Sequence, residues 1–195
     1  MYKLLFALLM TVGMTTAMCA QQKQKMNSKH SNSKILVAYF SATGTTARAA
    51  EKLVEAVGGD LYPIAPAQSY TSADLDWNNK QSRSSVEMNN PKMRPAIKSK
   101  KENIGTYDVV FIGYPIWWYQ MPMAMYSFFD KYDFDGKTII PFSTHGGSGW
   151  SGTLEDIAGL EPNATMVNGY SISRNNTATS RDGILNWLQE IGMVE

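Results

Sequence analysis

The stretch Ile35-Leu36-Val37-Ala38-Tyr39-Phe40-Ser41-Ala42-Thr43-Gly44-Thr45-Thr46 joins a run of apolar residues directly to a loop of small and hydroxyl-bearing residues. Six consecutive apolar residues are typical of a strand buried on both faces, as in a parallel sheet. Apolar residues then recur at helical spacing, so the loop is predicted to open a helix. These residues are Ala50, Leu53, Val54 and Val57. A strand, a short loop and a helix in this order begin a βαβ unit.

The rest of the chain continues this alternation. Four more strands are predicted, at residues 61–65, 109–113, 137–142 and 165–172. Helices are predicted from apolar residues at helical spacing: Met121, Met125 and Phe128; Leu154, Ile157 and Ala158; Ile184, Leu188 and Ile191. Strands that alternate with helices form a parallel sheet with right-handed crossovers. The sequence therefore predicts an α/β fold with a doubly wound five-stranded parallel sheet, order 2-1-3-4-5, and helices on both faces.

Two prolines, one asparagine and one long connection depart from the regular pattern of apolar strands and helices. Pro63 and Asn168 suit strands two and five as the sheet edges, and Pro141 is expected near the end of strand four. Residues 67–101, which we call the crossover, join strands two and three with little apolar periodicity. A connection of that length is either functional or wrongly assigned. We expect it either to wall in a substrate or to be a structural cover that contains a short helix.

The candidate site lies where strands one, three and four end. In a doubly wound sheet, ligands bind beyond the carboxyl ends of the strands, where the strand order reverses. The three loops that follow these strands have unusual compositions. We call them the first loop (41–46), the second loop (113–122) and the third loop (143–149).

The first loop has the composition of an anion site. It offers four hydroxyls, a glycine for a tight turn and the N-terminus of a helix, which favours negative charge. It has no lysine, so the Gly-Lys-Ser/Thr loop of nucleoside triphosphatases is excluded. The loop suits a phosphate monoester without a charged partner. The alternative is a helix cap rich in serine and threonine.

The second and third loops suit the rest of a flat ligand. The second loop carries several aromatic residues, on which a flat aromatic ring would stack. Its alternative is a loop that folds back onto the core. The third loop is rich in glycine, which permits close approach of the backbone to a ligand edge. His145 is either a ligand contact or an ordinary loop residue. The sequence near it has no second histidine and no acidic cluster, so no metal site is predicted there.

At these loops the chain resembles the flavodoxins, and in detail the flavodoxin-like bacterial proteins with a Tyr-Pro-Ile-Trp-Trp loop. The resemblance runs from Lys34 almost to the C-terminus. It implies a flavodoxin-like fold that binds flavin mononucleotide (FMN). The cofactor-binding residues that it implies are Ser41, Thr43, Gly44, Thr45 and Thr46 for the phosphate, Pro115, Ile116, Trp117 and Trp118 for the ring, and Thr144, His145, Gly146 and Gly147 for its pyrimidine side. The residues that resemble that family's long second crossover are Tyr70, Asp74, Asp76, Trp77 and Ser82-Arg83-Ser84-Ser85. Of these, Tyr70, Trp77 and Arg83 are candidate substrate or lid residues.

The function implied is redox chemistry through the bound flavin. The protein is then an electron carrier with a redox partner protein, or an FMN-dependent reductase of NAD(P)H or quinone type with a small redox substrate. A binding module that has lost its flavin is a remote alternative. A serine hydrolase is excluded because Trp150 replaces the glycine of a nucleophile elbow and no histidine follows His145. A phosphorylated receiver domain is excluded because Ser41 occupies the place of its acidic residue.

The N-terminal residues have the composition of an export signal. Lys3, an apolar run at 4–12 and small residues at 13–20 predict a secretory signal peptide over 1–20. The apolar run is too short to span a bilayer comfortably, so no stable membrane span is expected after processing. The alternatives are a buried first helix and a permanent anchor. Residues 21–33 are predicted to be a flexible tether and 34–195 the flavodoxin-like domain. The protein is expected to be exported to the periplasm, and lipidation at Cys19 is the less favoured alternative because Met18 precedes it.

Composition supports a globular domain and excludes one class of partner. Hydrophobic residues make up 44% of the chain and charged residues 18%, which is ordinary for a domain with a real core. The formal net charge is +1, so the sequence has no strong basic excess that would favour nucleic acid.

Overall fold

The sheet at the centre of the fold has the strand order β2-β1-β3-β4-β5, with β6 also paired to β4. The computed structural model of the protein describes residues 32–98, 101–176 and 180–195. Its strands are β1 (Ile35–Tyr39), β2 (Asp60–Pro63), β3 (Val109–Pro115), β4 (Thr138–His145), β5 (Thr165–Met166) and β6 (Tyr170–Ser173). Every pairing between them is parallel. The predicted doubly wound order is therefore confirmed.

The two faces of the sheet are covered by different helices. The helices are α1 (Thr45–Val57), α2 (Arg83–Met88), α3 (Met123–Phe129), α4 (Thr153–Leu160) and α5 (Ser180–Glu190). Because side chains alternate along a strand, Val37 packs on the α1 and α5 face, whereas Leu36 and Ala38 pack on the α3 and α4 face. Burial of β1 on both faces explains its unbroken apolar sequence.

Strand β4 contains Pro141 in its interior, so the prediction that this proline lies near the strand's end was wrong. The Lys137 and Ile139 carbonyls accept hydrogen bonds from the fifth-strand side, at 2.8 and 3.0 Å. Pro141 faces that same side, because alternate residues point in the same direction, and it has no N–H to donate. The predicted continuous strand over 165–172 is accordingly split into β5 and β6.

Strands β3 and β4 are longer than predicted, and their added residues come from the second and third loops. The predicted ends at residues 113 and 142 become Pro115 and His145. In this extension Tyr114 pairs with Ser143 and Pro115 with Thr144. The pairing brings the two loops to one edge of the sheet at a fixed register.

The two ends of the crossover are tied to each other just after β2. Pro66 forms an antiparallel bridge with Ile97, and the Lys98 N–H donates to the Ala65 carbonyl at 2.7 Å. Between these points lies α2, which is the short helix that one interpretation of the crossover predicted.

Several predictions concern residues that the structure does not describe. The signal peptide (1–20), Cys19 and most of the tether (21–33) lie outside the described ranges. The predicted export and the domain boundaries therefore stay predictions. Within the described ranges, none of the helices combines the length and apolar character needed to cross a membrane.

Candidate functional site

A cleft of about 540 Å³ opens beyond the carboxyl ends of β1, β3 and β4. All three loops contribute to it, together with part of the crossover. Its lining comprises Ser41, Ala42, Thr43, Thr45, Thr46, Leu75, Trp77, Ser84, Pro115, Ile116, Trp117, Trp118, Tyr119, Thr144, His145, Gly146 and Arg174. Volumes of this order are typical of sites for small molecules and cofactors. Of the predicted site residues, Gly44, Gly147, Tyr70 and Arg83 are outside this lining.

The first loop presents unused hydrogen-bonding groups at the N-terminus of α1. The N-cap residue is Gly44, in a left-handed conformation with φ of 84°, and no side chain caps the helix. The first-turn amides are therefore not bonded by a cap, and the alternative of a serine or threonine cap is wrong at this position. The Ser41 hydroxyl is also buried, without a hydrogen-bond partner among the described residues. Both features fit an anion at the helix N-terminus.

Two threonine hydroxyls connect the first loop to the third. Thr46 Oγ1 and Thr144 Oγ1 are 2.8 Å apart, and both residues are buried. A hydroxyl donates one hydrogen bond and accepts up to two. Within this pair one O–H is used internally, and the other remains available to a ligand. The bond also holds the start of α1 against the end of β4.

The second loop contains a tight turn with a strained backbone. Trp117 and Gln120 exchange two backbone hydrogen bonds, of 3.0 and 2.8 Å, across Trp118 and Tyr119. Both central residues have positive φ, 46° and 63°. This is the pattern of a type I′ turn, which strongly prefers asparagine and glycine. Non-glycine residues held in this region are often found at functional sites.

Trp117 is fixed from behind by two other aromatic rings. Its ring centroid lies 5.5 Å from that of Phe40 and 5.4 Å from that of Tyr70, and both contacts are edge to face. Phe40 and Tyr70 also contact each other at 5.9 Å. The indole thus lines the cleft on one side and packs against the protein on the other. The second loop is only partly consistent with a loop folded on the core, because Tyr119 is 73% exposed.

In the third loop, His145 makes a defined local contact. Its Nδ1 accepts a hydrogen bond from the Gly147 N–H at 2.9 Å. In the neutral ring the proton is therefore on Nε2, which leaves that nitrogen as the donor. The preceding Ser143 is fully buried and its hydroxyl pairs with that of Ser171 at 2.8 Å. Strand β6 thereby supports the end of β4.

Tyr70 and Arg83 hold the crossover together through hydrogen bonds to the same carboxylate, that of Glu87. The Tyr70 hydroxyl donates to the buried carboxylate of Glu87, and Arg83 Nε donates to the same carboxylate at 2.7 Å. The Arg83 guanidinium also lies 4.0 Å from the Tyr70 ring centroid. Burial raises the pKa of Tyr70, and the Glu87 carboxylate raises it further, so the phenol stays protonated. Of the three predicted substrate or lid residues, Trp77 alone lines the cleft.

Two arginines near the site were missed by sequence reasoning. Arg174 follows β6 and lines the cleft, because β6 lies beside the end of β4. The guanidinium of Arg48 lies against Gly44, where an added Cβ would be 3.3 Å from Nη1. Arg48 could have been noticed, because side chains in the first turns of a helix point back toward its N-terminus. The sequence predicted a phosphate site without a charged partner. The structure instead places the Arg48 guanidinium beside the first loop.

Other lining residues also lay outside the predicted set: Ala42, Leu75, Ser84 and Tyr119. Ala42 and Tyr119 are next to predicted residues and needed only a wider window. Leu75 and Ser84 belong to the crossover, whose path over the cleft has no signal in the local sequence.

A doubly wound sheet with hydroxyl-rich, aromatic and glycine-rich loops at the reversal of strand order defines a flavodoxin-like α/β protein. Residues 34–191 match the flavodoxin family, and the chain belongs to that family.

Solved structures show the same fold. A protein of Bacteroides eggerthii classed as a flavoprotein is 62% identical over 82% of this chain and 98% of that chain, with a TM-score of 0.75. One from Bacteroides uniformis is 46% identical over 80% and 98%, also at 0.75. A flavoprotein from Lactobacillus acidophilus, in complex with FMN, is 18% identical over 78% and 99%, at 0.59. Among curated proteins, none matches this chain.

Proposed function

We propose that the protein binds FMN in this cleft and acts as a redox protein. The observation that carries the proposal is the buried Ser41 hydroxyl, which has no partner among the described residues and lies at an uncapped helix N-terminus. An unbonded polar group at such a position is expected to bind a ligand anion. The Lactobacillus acidophilus flavoprotein, whose structure contains FMN, supports the choice of cofactor.

The donor set of the first loop fits the phosphate of FMN. Three kinds of group can donate hydrogen bonds to it: the Ser41 hydroxyl, the first-turn amides of α1 and the free O–H of the Thr46–Thr144 pair. Arg48, beside Gly44, adds positive charge to this end of the cleft. Residues Thr43 and Thr45 supply further hydroxyls to the lining.

The second and third loops fit the flavin ring. Pro115, Ile116 and Trp117 offer a flat apolar surface, which the contacts of Trp117 with Phe40 and Tyr70 keep in place. His145 and Gly146 lie at the end of β4 and can bond the polar edge of the ring. Trp118, at the turn, would help to exclude water from that ring.

When bound, the flavin supplies one- or two-electron redox chemistry. The protein's residues hold it, limit its contact with water and set which molecules reach it. The crossover is the element that would control which molecules reach the flavin, since Leu75, Trp77 and Ser84 line the cleft from that side.

A reductase that acts on a small substrate is the second candidate function. The crossover favours it, because Leu75, Trp77 and Ser84 give the cleft an additional wall. A carrier that exchanges electrons with a partner protein has no need of such a wall. Reduction of the FMN-loaded protein by NADH or NADPH without any partner protein would favour the reductase, whereas reduction only by a protein donor would favour the carrier.

The test is FMN retention by the purified protein. The protein is saturated with FMN and desalted, and its visible spectrum and FMN dissociation constant are measured. We expect retained flavin in the wild type and about tenfold weaker binding in Ser41→Ala, because a hydrogen bond to a charged phosphate is lost. Ser127→Ala is the control, since the Ser127 hydroxyl bonds the Met123 carbonyl within α3. Complete loss of flavin from the wild type on desalting would contradict the proposal.

A further inference from the structure

Ser84 is a buried serine of the crossover whose hydroxyl is unused. It lies in α2 and is 1% exposed, and it lines the cleft beside the three loops. Its Oγ has no hydrogen-bond partner among the described residues. Nearly all buried side-chain polar atoms in folded proteins are bonded, so an unbonded one at a cleft points to a partner that is not part of the chain.

The backbone around Ser84 holds this hydroxyl in place. The Ser84 N–H donates to the Asp74 carbonyl at 2.9 Å. Asp74 is held in turn by two hydrogen bonds of 2.8 Å from the backbone and hydroxyl of Thr71. The helix is capped by Ser82, whose side-chain oxygen accepts a hydrogen bond from the Ser85 backbone N–H. A small shift of α2 that would satisfy the hydroxyl elsewhere would break these contacts.

Ser84 shares the lining of the cleft with apolar side chains of the same crossover. Leu75 and Trp77 line the cleft from the same crossover, and Trp77 is 72% exposed. One hydroxyl among such surfaces suits a flat conjugated ring with a carbonyl oxygen or ring nitrogen at its edge.

We propose that Ser84 is a ligand-binding residue of the cleft, whose hydroxyl bonds a carbonyl oxygen or ring nitrogen of a flat conjugated ring. The inference rests on the proposed function. The ring belongs either to the flavin or to a second molecule of the quinone or nicotinamide type that shares the cleft. The crossover then takes part in recognition directly and does not serve only as a cover.

Ser84→Ala and Ser85→Ala form a matched pair for the test. Both serines are buried in α2, but the Ser85 hydroxyl already accepts from Ser82 at 2.9 Å. Three quantities are measured for each variant: the melting temperature without ligand, the dissociation constant of FMN, and that of 1,4-naphthoquinone for the FMN-loaded protein. For Ser84→Ala we expect about fivefold weaker binding of one of the two ligands. Its ligand-free melting temperature should be no lower than that of the wild type, because an unbonded polar group is removed.

The pattern of effects distinguishes the sources and the alternatives. Weaker FMN binding assigns the hydroxyl to the flavin, and weaker naphthoquinone binding alone assigns it to the second molecule. Ser85→Ala should lower the melting temperature and leave both affinities within about twofold. Unchanged affinities for both ligands in Ser84→Ala, whatever its melting temperature, would overturn the inference and leave the proposed function standing. A wild type that retains no FMN would contradict the proposed function and, with it, this inference.

Discussion

Gly113 lies in β3, one residue before the fully buried Tyr114 and opposite Phe142 of β4. A Cβ on Gly113 would overlap the Phe142 ring, which has buried neighbours on the α1 and α5 face. The absence of a side chain here lets the two strands continue in register to the point where the second and third loops begin. A residue that does not line the cleft therefore determines the spacing of two of its walls.

Gly113→Ala is expected to lower the free energy of unfolding by about 2–3 kcal/mol, because Phe142 or the backbone must shift. Urea denaturation of the two proteins measures this difference. Gly159→Ala is the matched control, since nothing lies within 4 Å of an added Cβ there. Gly159 lies in the last turn of α4, so this change should stabilise the protein by less than about 1 kcal/mol. Equal effects of the two substitutions would contradict the packing argument.

Among the elements, the turn at Trp118 and Tyr119 is the one whose local sequence conflicts most with its conformation. A type I′ turn prefers asparagine and glycine, yet two aromatic residues occupy its central positions. Each non-glycine residue in this region destabilises by roughly 1–3 kcal/mol. The conflict is confined to the loop that supplies aromatic surface to the cleft.

Tyr119→Gly is expected to raise the free energy of unfolding of the ligand-free protein by about 1 kcal/mol, because glycine adopts positive φ without strain. Tyr119→Ala removes the same exposed ring but keeps a Cβ, so it should give no comparable gain. Chemical denaturation of both variants decides the matter. If alanine stabilises as much as glycine, the gain comes from the lost ring and the strain argument fails.

At this scale the sequence predicted which elements exist and in what order they pair, because runs such as 35–40 and 109–112 are apolar throughout. It did not predict where β3 and β4 end, since Tyr114 and Ser143 look like loop residues. Both are buried through partners that are distant in sequence: Tyr114 Oη lies 2.9 Å from Thr153 Oγ1, and the Ser143 hydroxyl bonds that of Ser171. The three site loops could be recognised locally. The positions of Ser84 and Arg174 in the cleft lining could not, because they depend on the tertiary path of the crossover and of β6.

For the whole molecule, one buried carboxyl makes stability depend on pH. Glu161, at the C-terminal end of α4, is buried and accepts a hydrogen bond from the Phe134 N–H. Burial raises the pKa of Glu161 above its ordinary value, and the nearby carboxylates Asp133 and Asp135 raise it further, although the Phe134 bond opposes them. The folded state therefore binds a proton at Glu161 more tightly than the unfolded chain does.

The direction of the pH effect follows from linkage. Below the ordinary value of 4.5 the carboxyl is protonated in both states, and its contribution to stability is fully present. As the pH rises above that value, the unfolded chain ionises first and stability falls, until the folded-state pKa is passed. Glu161→Gln keeps an acceptor for the Phe134 N–H and cannot ionise. We expect it to be more stable than the wild type at pH 7, with the difference vanishing near pH 4.

Thermal unfolding of both proteins from pH 4 to pH 8 measures this difference. A constant gap between the two curves over that range would show that the glutamine acts through packing, and the electrostatic explanation would then be wrong.

The broken fifth strand has a consequence for how molecules meet in concentrated solution. A long, straight sheet edge offers a row of free N–H and C=O groups to the edge of another molecule. At one edge of the sheet that row is divided between β5, which has two residues, and β6, which has four. Between them, Pro141 of the neighbouring strand β4 has no N–H to donate. The opposite edge strand, β2, has four residues and ends in Pro63. Neither side offers a continuous template for strand addition, so the apolar strands that form the core are shielded from aggregation by the shape of the sheet's own margins.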